Sequence, residues 1–286
     1  MPHERPDVVV PANAETGEGP VWDHRTGELV WVDIPAGVLH RSDVRSGADT
    51  AANLGMMVGA VALDSDGGWA AAVQDGFGLI DADGRLELLD RALPEPNRRM
   101  NDAACDSRGR MWAGSLYTSF DGDGKLHCWE HGAPSRVVLE GLILPNGIGW
   151  NHDSTEMYLV DTLEGTVFGY EFDLDDGRVG ERRVVTRVPS PHGMPDGLCV
   201  DADGCIWVAQ WGGWRVCRYD PHGRLLRTVE FPVAQPSCPA FGEGSTLYVT
   251  TGWEGLPDRA SQPLAGSVFG LDAGVGGVPP GVFRRR

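Results

Sequence analysis

Four oxygen-bearing side chains recur at equivalent positions of a repeated sequence pattern, and side chains of these types can bind a divalent cation. Glu18, Asn101, Asn146 and Asp196 each lie five residues before the polar residue that ends a short apolar segment. Carboxylate and amide oxygens suit Ca²⁺, Mg²⁺ or Mn²⁺, and they also bind Zn²⁺ or Fe²⁺ at an open site. The full set of equivalent positions is Glu18, Gly59, Asn101, Asn146, Asp196 and Ser237, which precede Asp23, Asp64, Asp106, Asn151, Asp201 and Gly242.

These side chains meet only if the repeats form a ring. The six positions are spaced by roughly 40 to 50 residues, which is the spacing of β-propeller blades. Each repeat has short segments rich in valine, isoleucine and aromatic residues, separated by turns such as Asp66-Gly67 and Asp203-Gly204. We predict an all-β chain, a six-bladed β-propeller that forms a single domain over residues 1–286, in which Val8–Val10 adds an outer strand to the last blade. A two-sheet β-sandwich or several small β domains is the alternative.

In a propeller, the residue at the entry of each innermost strand faces the mouth of the central channel. Glu18, Asn146 and Asp196 would then point towards one centre, together with Asn101. Two carboxylates neutralise a divalent cation and leave positions for water and substrate. Without a cation the two carboxylates would repel each other, and one would be driven to bind a proton. The alternative reading is that Asn146-Gly147 and Asp196-Gly197 are ordinary turn residues.

Composition limits the range of functions. The chain has 286 residues and a formal net charge of −17; a polyanion repels phosphate backbones, so we expect no nucleic-acid partner. The start, Met1–Arg5, lacks the apolar core of a signal peptide, and no segment reaches membrane-spanning length, so we expect no membrane partner and a cytoplasmic location. The basic tail, Arg284–Arg286, is too short for a nucleic-acid patch. The six cysteines form no C-x-x-C pair, and we expect them to be reduced thiols. We also expect the protein to be a monomer or a weak homo-oligomer.

Several short motifs in this chain, taken together and in order, resemble those of the SMP-30/gluconolactonase/regucalcin-like family. The likeness covers nearly the whole chain, and it is greatest to bacterial sugar-acid lactonases that act on xylono- or gluconolactone. The motifs are Gly17-Glu18-Gly19-Pro20-Val21-Trp22-Asp23, Arg99-Met100-Asn101-Asp102, Pro145-Asn146-Gly147, Pro195-Asp196-Gly197 and Leu264-Ala265-Gly266-Ser267-Val268-Phe269.

The resemblance implies a six-bladed propeller that holds one divalent metal ion and hydrolyses a sugar lactone. The metal ligands of the family fall on Glu18, Asn146 and Asp196, and its substrate-contacting arginine and asparagine fall on Arg99 and Asn101. One departure concerns the substrate. Some members carry a substrate-contacting glutamate on the loop after the second strand of the third blade, whereas here the residues after Gly114 include no carboxylate before Asp121.

The chemistry expected of such a site is the hydrolysis of a cyclic ester. A cation can polarise the lactone carbonyl, and negative charge appears there only in the transition state. Asp196 is the candidate general base, and Asp102 is the second candidate, with the alternative role of a buried acceptor for backbone amides or a partner for Arg99. Arg99 can donate several hydrogen bonds to a substrate. The mouth is also expected to be shaped by Tyr117 and Trp211, and further by Leu144 and Trp214.

Three other functions stay open at this point. The same metal could serve a different ester, such as an organophosphate. The propeller could be non-catalytic and bind Ca²⁺ or a partner protein. The altered loop after Gly114 also leaves room for non-hydrolytic chemistry on the same scaffold.

Overall fold

The computed structural model describes residues 5–285, which form six antiparallel sheets arranged as a β-propeller. The innermost strands of consecutive sheets contact one another all the way around, and the last contacts the first. The predicted six-bladed propeller is confirmed, and the sandwich alternative is wrong. Met1–Glu4 and Arg286, which belong to the predicted leader-free start and basic tail, lie outside the described residues.

The strands follow one another in chain order from the innermost to the outermost position of each blade. After β1 (Asp7–Val10), blade 1 contains β2 (Gly17–Asp23), β3 (Glu28–Asp33), β4 (Val38–Asp43) and β5 (Ala48–Asn53), and blade 2 contains β6 (Val58–Asp64), β7 (Trp69–Val73), β8 (Gly76–Ile80) and β9 (Leu86–Asp90). Blade 3 contains β10 (Arg98–Cys105), β11 (Met111–Tyr117), β12 (Gly124–Trp129) and β13 (Arg136–Leu142), and blade 4 contains β14 (Pro145–Trp150), β15 (Glu156–Asp161), β16 (Thr166–Asp173) and β17 (Arg178–Arg187). Blade 5 contains β18 (Met194–Val200), β19 (Ile206–Trp211), β20 (Arg215–Tyr219) and β21 (Leu225–Glu230), and blade 6 contains β22 (Pro236–Phe241), β23 (Thr246–Thr251) and β24 (Val268–Asp272), before the short β25 (Val282–Phe283).

Two short 3₁₀ turns, Ser190–His192 and Arg259–Ser261, are the only helical elements between residues 5 and 285. None of the helical segments in this described range has the length and hydropathy needed to span a bilayer. All six cysteines, which lie within the described residues, are free thiols.

The ring is closed by a strand from the other end of the chain. β1 pairs antiparallel with β24, with Val8 opposite Phe269, and forms the outer strand of blade 6. This confirms the position predicted for Val8–Val10. β1 thereby supplies the fourth strand of blade 6 and joins the segment before blade 1 to the last blade.

The C-terminal segment crosses the end of the channel opposite the entries of the inner strands. β25 pairs parallel with β6, the backbone amide of Val278 donates to Val200 O at 3.1 Å, and that of Arg284 donates to Gly109 O at 3.1 Å. Between this segment and the strand entries lies a largely apolar cavity of about 290 Å³, whose lining includes Cys105 and Cys238.

Every inner strand contains one extra residue at the same place, immediately beside the entry position. Such a β-bulge disrupts the ladder locally and turns a side chain out of the sheet's regular alternation. In blade 1 the register breaks between Glu18 and Val21, and in blade 5 between Pro195 and Leu198. The other breaks lie between Val58 and Ala60, Met100 and Ala103, Pro145 and Ile148, and Pro236 and Pro239.

A buried aspartate fixes the far end of the inner strand in several blades. In blade 5, Asp201 Oδ1 accepts hydrogen bonds from the backbone amides of Asp203 and Cys205, at 3.0 and 2.9 Å. Its Oδ2 accepts from Trp207 Nε1 at 2.9 Å and from Arg218 Nε at 2.7 Å. One carboxylate thereby joins the turn, the second strand and the third strand of the blade.

Replacing Asp201 by alanine should lower the free energy of unfolding by about 3 kcal/mol or more, because the change leaves buried donors without partners. Urea denaturation followed by tryptophan fluorescence measures the effect. The matched control is Asp220→Ala, which removes the aspartate that accepts from His222 and Arg224 amides in a more exposed turn and should have a much smaller effect. Equal losses in the two variants would contradict the role given to Asp201.

Candidate functional site

The structure brings the candidate ligands together on the inner strands of different blades. Glu18 on β2, Asn146 on β14 and Asp196 on β18 are all buried at the hub, and Asn101 and Asp102 on β10 are buried with them. These residues lie at the register breaks of their inner strands, so the shared bulge brings side chains from four blades to the hub.

Asn146 connects two of the hub strands through its amide nitrogen. Asn146 Nδ2 donates to Asp196 Oδ1 and to Thr162 Oγ1, the latter at 3.1 Å. Because both hydrogen bonds use the nitrogen, the carbonyl oxygen Oδ1 makes none with the described residues. This oxygen is therefore available to a ligand at the hub.

Glu18 and Asp196 are both buried at the hub, and the charge of a neighbouring carboxylate disfavours the ionised form of each. The pKa of Glu18 is raised well above its usual value by burial and by the charges of Asp196 and Asp102, and only the amide of Gly19 and the guanidinium of Arg99 oppose the shift. Burial and the charge of Asp102 also raise the pKa of Asp196, against the hydrogen bond from Asn146. The repulsion expected from the sequence is thus present at the hub.

The residues at the hub fit a hard divalent cation. Their donors are two carboxylates and a carbonyl oxygen, and the excess negative charge would be offset by a dication. No cluster of three or more His, Cys, Asp or Glu side chains with the arrangement of a metal site occurs in the described part of the chain. That result is consistent with a candidate set of only Glu18 and Asp196 plus the amide of Asn146.

Arg99 lies next to this group and keeps unused donors. Its Nη1 donates to Asn101 Oδ1 at 2.7 Å and to Met100 O at 3.0 Å, whereas its Nε and Nη2 make no hydrogen bond with residues 5–285. Asn101 Nδ2 in turn donates to Pro145 O at 2.9 Å, which holds blade 3 against blade 4. Asn101 is thus placed to orient Arg99, and the remaining guanidinium donors are available to a substrate.

Asp102 faces the apolar cavity beneath the hub. Its Oδ1 accepts a hydrogen bond from the amide of Ala103 at 2.8 Å, which is the backbone-acceptor role named as its alternative. Burial raises the pKa of Asp102 to about 7. The carboxyl group therefore lies behind the hub ligands, on the side away from the channel mouth.

The aromatic candidates lie at the strand ends around the mouth. Tyr117 ends β11, and its ring lies 4.0 Å from the Arg98 guanidinium. Trp211 ends β19 and packs against Gly252, where a Cβ would lie only 2.8 Å from the indole. Trp214 is exposed, with φ 60°.

The altered loop of blade 3 directs no carboxylate into the hub. Ser115 is buried against His127, with Ser115 Oγ 2.9 Å from His127 Nε2, and Asp121 is exposed.

Two supporting aspartates were not singled out from the sequence. Asp33 accepts hydrogen bonds from the amides of Glu15 and Thr16, both at 3.1 Å, just before Glu18. Asp161 accepts from the amides of Ile143 and Leu144, at 2.8 and 3.0 Å, just before Asn146. The signal was present, because each aspartate follows its ligand by fifteen residues.

Comparison with known proteins gives the same family as the motifs. The family model described as "SMP-30/Gluconolactonase/LRE-like region" matches residues 16–252. A 6-deoxy-6-sulfogluconolactonase of Pseudomonas putida is 34% identical over 93% of this chain and 94% of its own length. Pentonolactonase XacC of Haloferax volcanii is 33% identical over 95% of both chains. A crystal structure of a calcium-binding protein, regucalcin, from Agrobacterium tumefaciens superposes with a TM-score of 0.92, at 31% identity and 97% coverage of both chains.

Replacing Asp102 by asparagine should stabilise the metal-free protein more at pH 8 than at pH 5. A raised folded-state pKa means that stability is fully present below the unfolded value near 4 and is lost as pH rises through about 7. The substitution removes this loss, so its benefit should grow by an amount on the order of 2–3 kcal/mol between the two pH values. Urea unfolding with chelator at both pH values measures it.

Asp153→Asn, at an exposed turn, serves as the control for the Asp102 experiment. It should show no such pH-dependent gain. A benefit of Asp102→Asn that is equal at both pH values would contradict a buried carboxyl with a raised pKa.

Proposed function

Because the chain belongs to the SMP-30/gluconolactonase/LRE-like family, we propose that it is a divalent-metal-dependent lactonase that hydrolyses a sugar-acid lactone, of the glucono- or xylonolactone kind, to the free acid. The observation that carries this proposal is the convergence of buried Glu18, Asn146 and Asp196 on one hub beside a guanidinium with unused donors. Relatives named as lactonases of sugar acids support the substrate class.

Lactone hydrolysis adds water to the carbonyl carbon and breaks the bond from that carbon to the ring oxygen. One proton of the water must leave, and the ring oxygen must gain one. A divalent cation held by Glu18, Asn146 and Asp196, when bound, supplies a Lewis acid that polarises the carbonyl and makes water more acidic. The identity of this cation is open among Ca²⁺, Zn²⁺, Mg²⁺, Mn²⁺ and Fe²⁺, because all accept oxygen ligands.

Asp196 is the proposed general base. Its carboxylate accepts the proton of the attacking water and delivers it to the departing ring oxygen, so that the reaction ends with a hydroxyl and an acid. The hydrogen bond from Asn146 Nδ2 favours the ionised form that this step requires. It also fixes the orientation of Asp196 Oδ1, which leaves Oδ2 to act on water.

Arg99 is proposed to bind and orient the substrate. Nη1 is held by Asn101 and Met100 O, so the guanidinium plane is fixed, and Nε and Nη2 can donate to sugar hydroxyls or to the developing carboxylate. Tyr117 and Trp211 are proposed to form apolar walls of the mouth that contact the C–H faces of the sugar.

Ca²⁺ binding without catalysis is a second candidate, because a structurally similar protein is described as calcium-binding. Both functions would use the hub carboxylates. Only catalysis gives a role to the unused donors of Arg99, since a bound cation gains nothing from a neighbouring guanidinium. A metal-binding assay combined with a turnover assay separates the two functions.

The purified protein, stripped with chelator, should open glucono- and xylonolactone only after a divalent metal is added. Acid release followed with a pH indicator measures turnover for each metal in turn, against the uncatalysed rate. Asp196→Asn should reduce kcat by about 10³-fold or more, because it removes both a metal ligand and the base. Thermal unfolding should show a metal-dependent rise in Tm for the wild type, and a much smaller rise for Asp196→Asn.

Asp153→Asn is again the matched control and should retain full turnover. Metal binding with no lactone opened above background would favour the calcium-binding alternative. Turnover that survives both chelation and the loss of Asp196 would remove the metal and this residue from the reaction.

A further inference from the structure

A loop of blade 6 is fastened to the segment that leads into Glu18. Thr16 and Gly252 form an isolated antiparallel bridge. The backbone amides of Trp253 and Glu254 both donate to Glu15 O, at 2.9 and 3.0 Å. The loop after β23 therefore lies at the channel mouth, with Glu254 close to the entry of β2.

The Glu254 side chain is exposed but held in place. Its Oε2 accepts a hydrogen bond from the buried Thr16 Oγ1 at 2.7 Å, and its backbone carbonyl accepts one from Gln235 Nε2 at 2.9 Å. Because both its carboxylate and its backbone carbonyl are held, Glu254 would lose less conformational entropy on contacting a ligand than a free surface glutamate would. The second carboxylate oxygen, Oε1, makes no hydrogen bond with the described residues.

Glu254 shares the mouth with Arg99. Burial lowers the pKa of Arg99, and among the acidic residues that counter this effect Glu254 acts most strongly, ahead of Glu18 and Asp196. Glu254 is bound to Thr16, two residues before Glu18, and Arg99 is bound to Asn101 at the hub, so the carboxylate of blade 6 and the guanidinium of blade 3 lie at the same end of the channel. Sugar hydroxyls placed between them could donate to one and accept from the other.

The charges around Glu254 do not create a binding site for an anion. Glu15 and Asp258 are its acidic neighbours on the adjoining segments, and the guanidinium of Arg259 is stacked over the ring of Trp253, 4.1 Å from the centroid. The positive charge of Arg99 is already opposed by Glu254 and by the hub carboxylates. An anionic substituent entering the mouth would thus meet Glu254 without an unopposed cation.

We propose that Glu254 is a specificity-determining residue that admits lactones with uncharged, hydroxylated side chains and disfavours lactones that carry an anionic substituent. This inference rests on the proposed lactonase function. The carboxylate accepts hydrogen bonds from substrate hydroxyls, and the same charge repels a phosphate, sulfonate or second carboxylate. Thr16 acts as its positioning residue.

The test compares glucono-δ-lactone with its 6-phosphate in the metal-loaded protein. The wild type should show kcat/KM at least about tenfold higher for the uncharged lactone, a ratio expected for like charges a few ångströms apart near a surface. Glu254→Gln should reduce that ratio by about tenfold, and Glu254→Lys should reduce it further. Most of the change should appear in KM for the phosphorylated substrate, because Glu254 does not contact the reacting carbonyl in this proposal.

The matched control is Glu181→Gln, which removes one negative charge from the exposed outer strand β17. It should leave the substrate ratio unchanged. Raising the ionic strength should improve KM for the phosphorylated lactone in the wild type and have little effect in Glu254→Gln. A substrate ratio that is the same in Glu254→Gln and in the wild type would overturn the proposal.

A binding experiment separates this inference from the proposed function. Calorimetry with 1,5-anhydroglucitol and its 6-phosphate, which cannot be hydrolysed, measures charge preference without turnover. If the wild type opens neither lactone, the lactonase proposal fails, but a preference for the uncharged sugar that disappears in Glu254→Gln still supports the role of Glu254. Equal preferences in the two proteins contradict that role.

Discussion

The central constraint in this structure is the burial of like charges at one point. Glu18 and Asp196 share the hub with Asp102 nearby, and a single guanidinium, Arg99, opposes them. Such an arrangement costs free energy in the folded chain, because desolvation penalises each carboxylate and the carboxylates repel one another. The rest of the fold has to supply the stability that holds them there. The extensive apolar packing of the blades, and the buried aspartates that cross-link their strands, provide it.

The six bulges explain why the hub can be built from a repeat. An extra residue in each inner strand gives every blade one side chain that departs from the sheet's alternation, at one level of the ring. Two blades use this position for packing. At Gly59 a Cβ would lie 2.2 Å from Asn101 O, so only glycine fits. Ser237 Oγ donates to Gly17 O and lies 2.9 Å from Thr250 Oγ1, and the first of these contacts joins blade 6 to the strand that bears Glu18.

The periodic features of the site could be predicted from the sequence, whereas the contacts between blades could not. The repeat alone identified the fold, the closing strand Val8–Val10 and the residues at the hub. It did not show that Asn101 orients Arg99 and reaches Pro145 O, since that contact joins residues of two blades. Asp102 was named beside Asn101, but its contacts differ: Asn101 bonds to Arg99 and Pro145 O, whereas Asp102 bonds to the amide of Ala103 and lines the apolar cavity. Glu254 escaped notice because it lies in a loop outside the repeat, and only the bonds to Glu15 and Thr16 bring it to the mouth.

The pairing of β1 with β24 has a consequence for the order of events during synthesis. Blade 6 combines a strand that precedes blade 1 in the chain with three strands that follow blade 5. Until the last blade is translated the incomplete ring has open sheet edges, which are the surfaces that aggregate. The burial that disfavours the charges of Glu18 and Asp196 belongs to the closed ring, so this unfavourable term arises only when the ring closes.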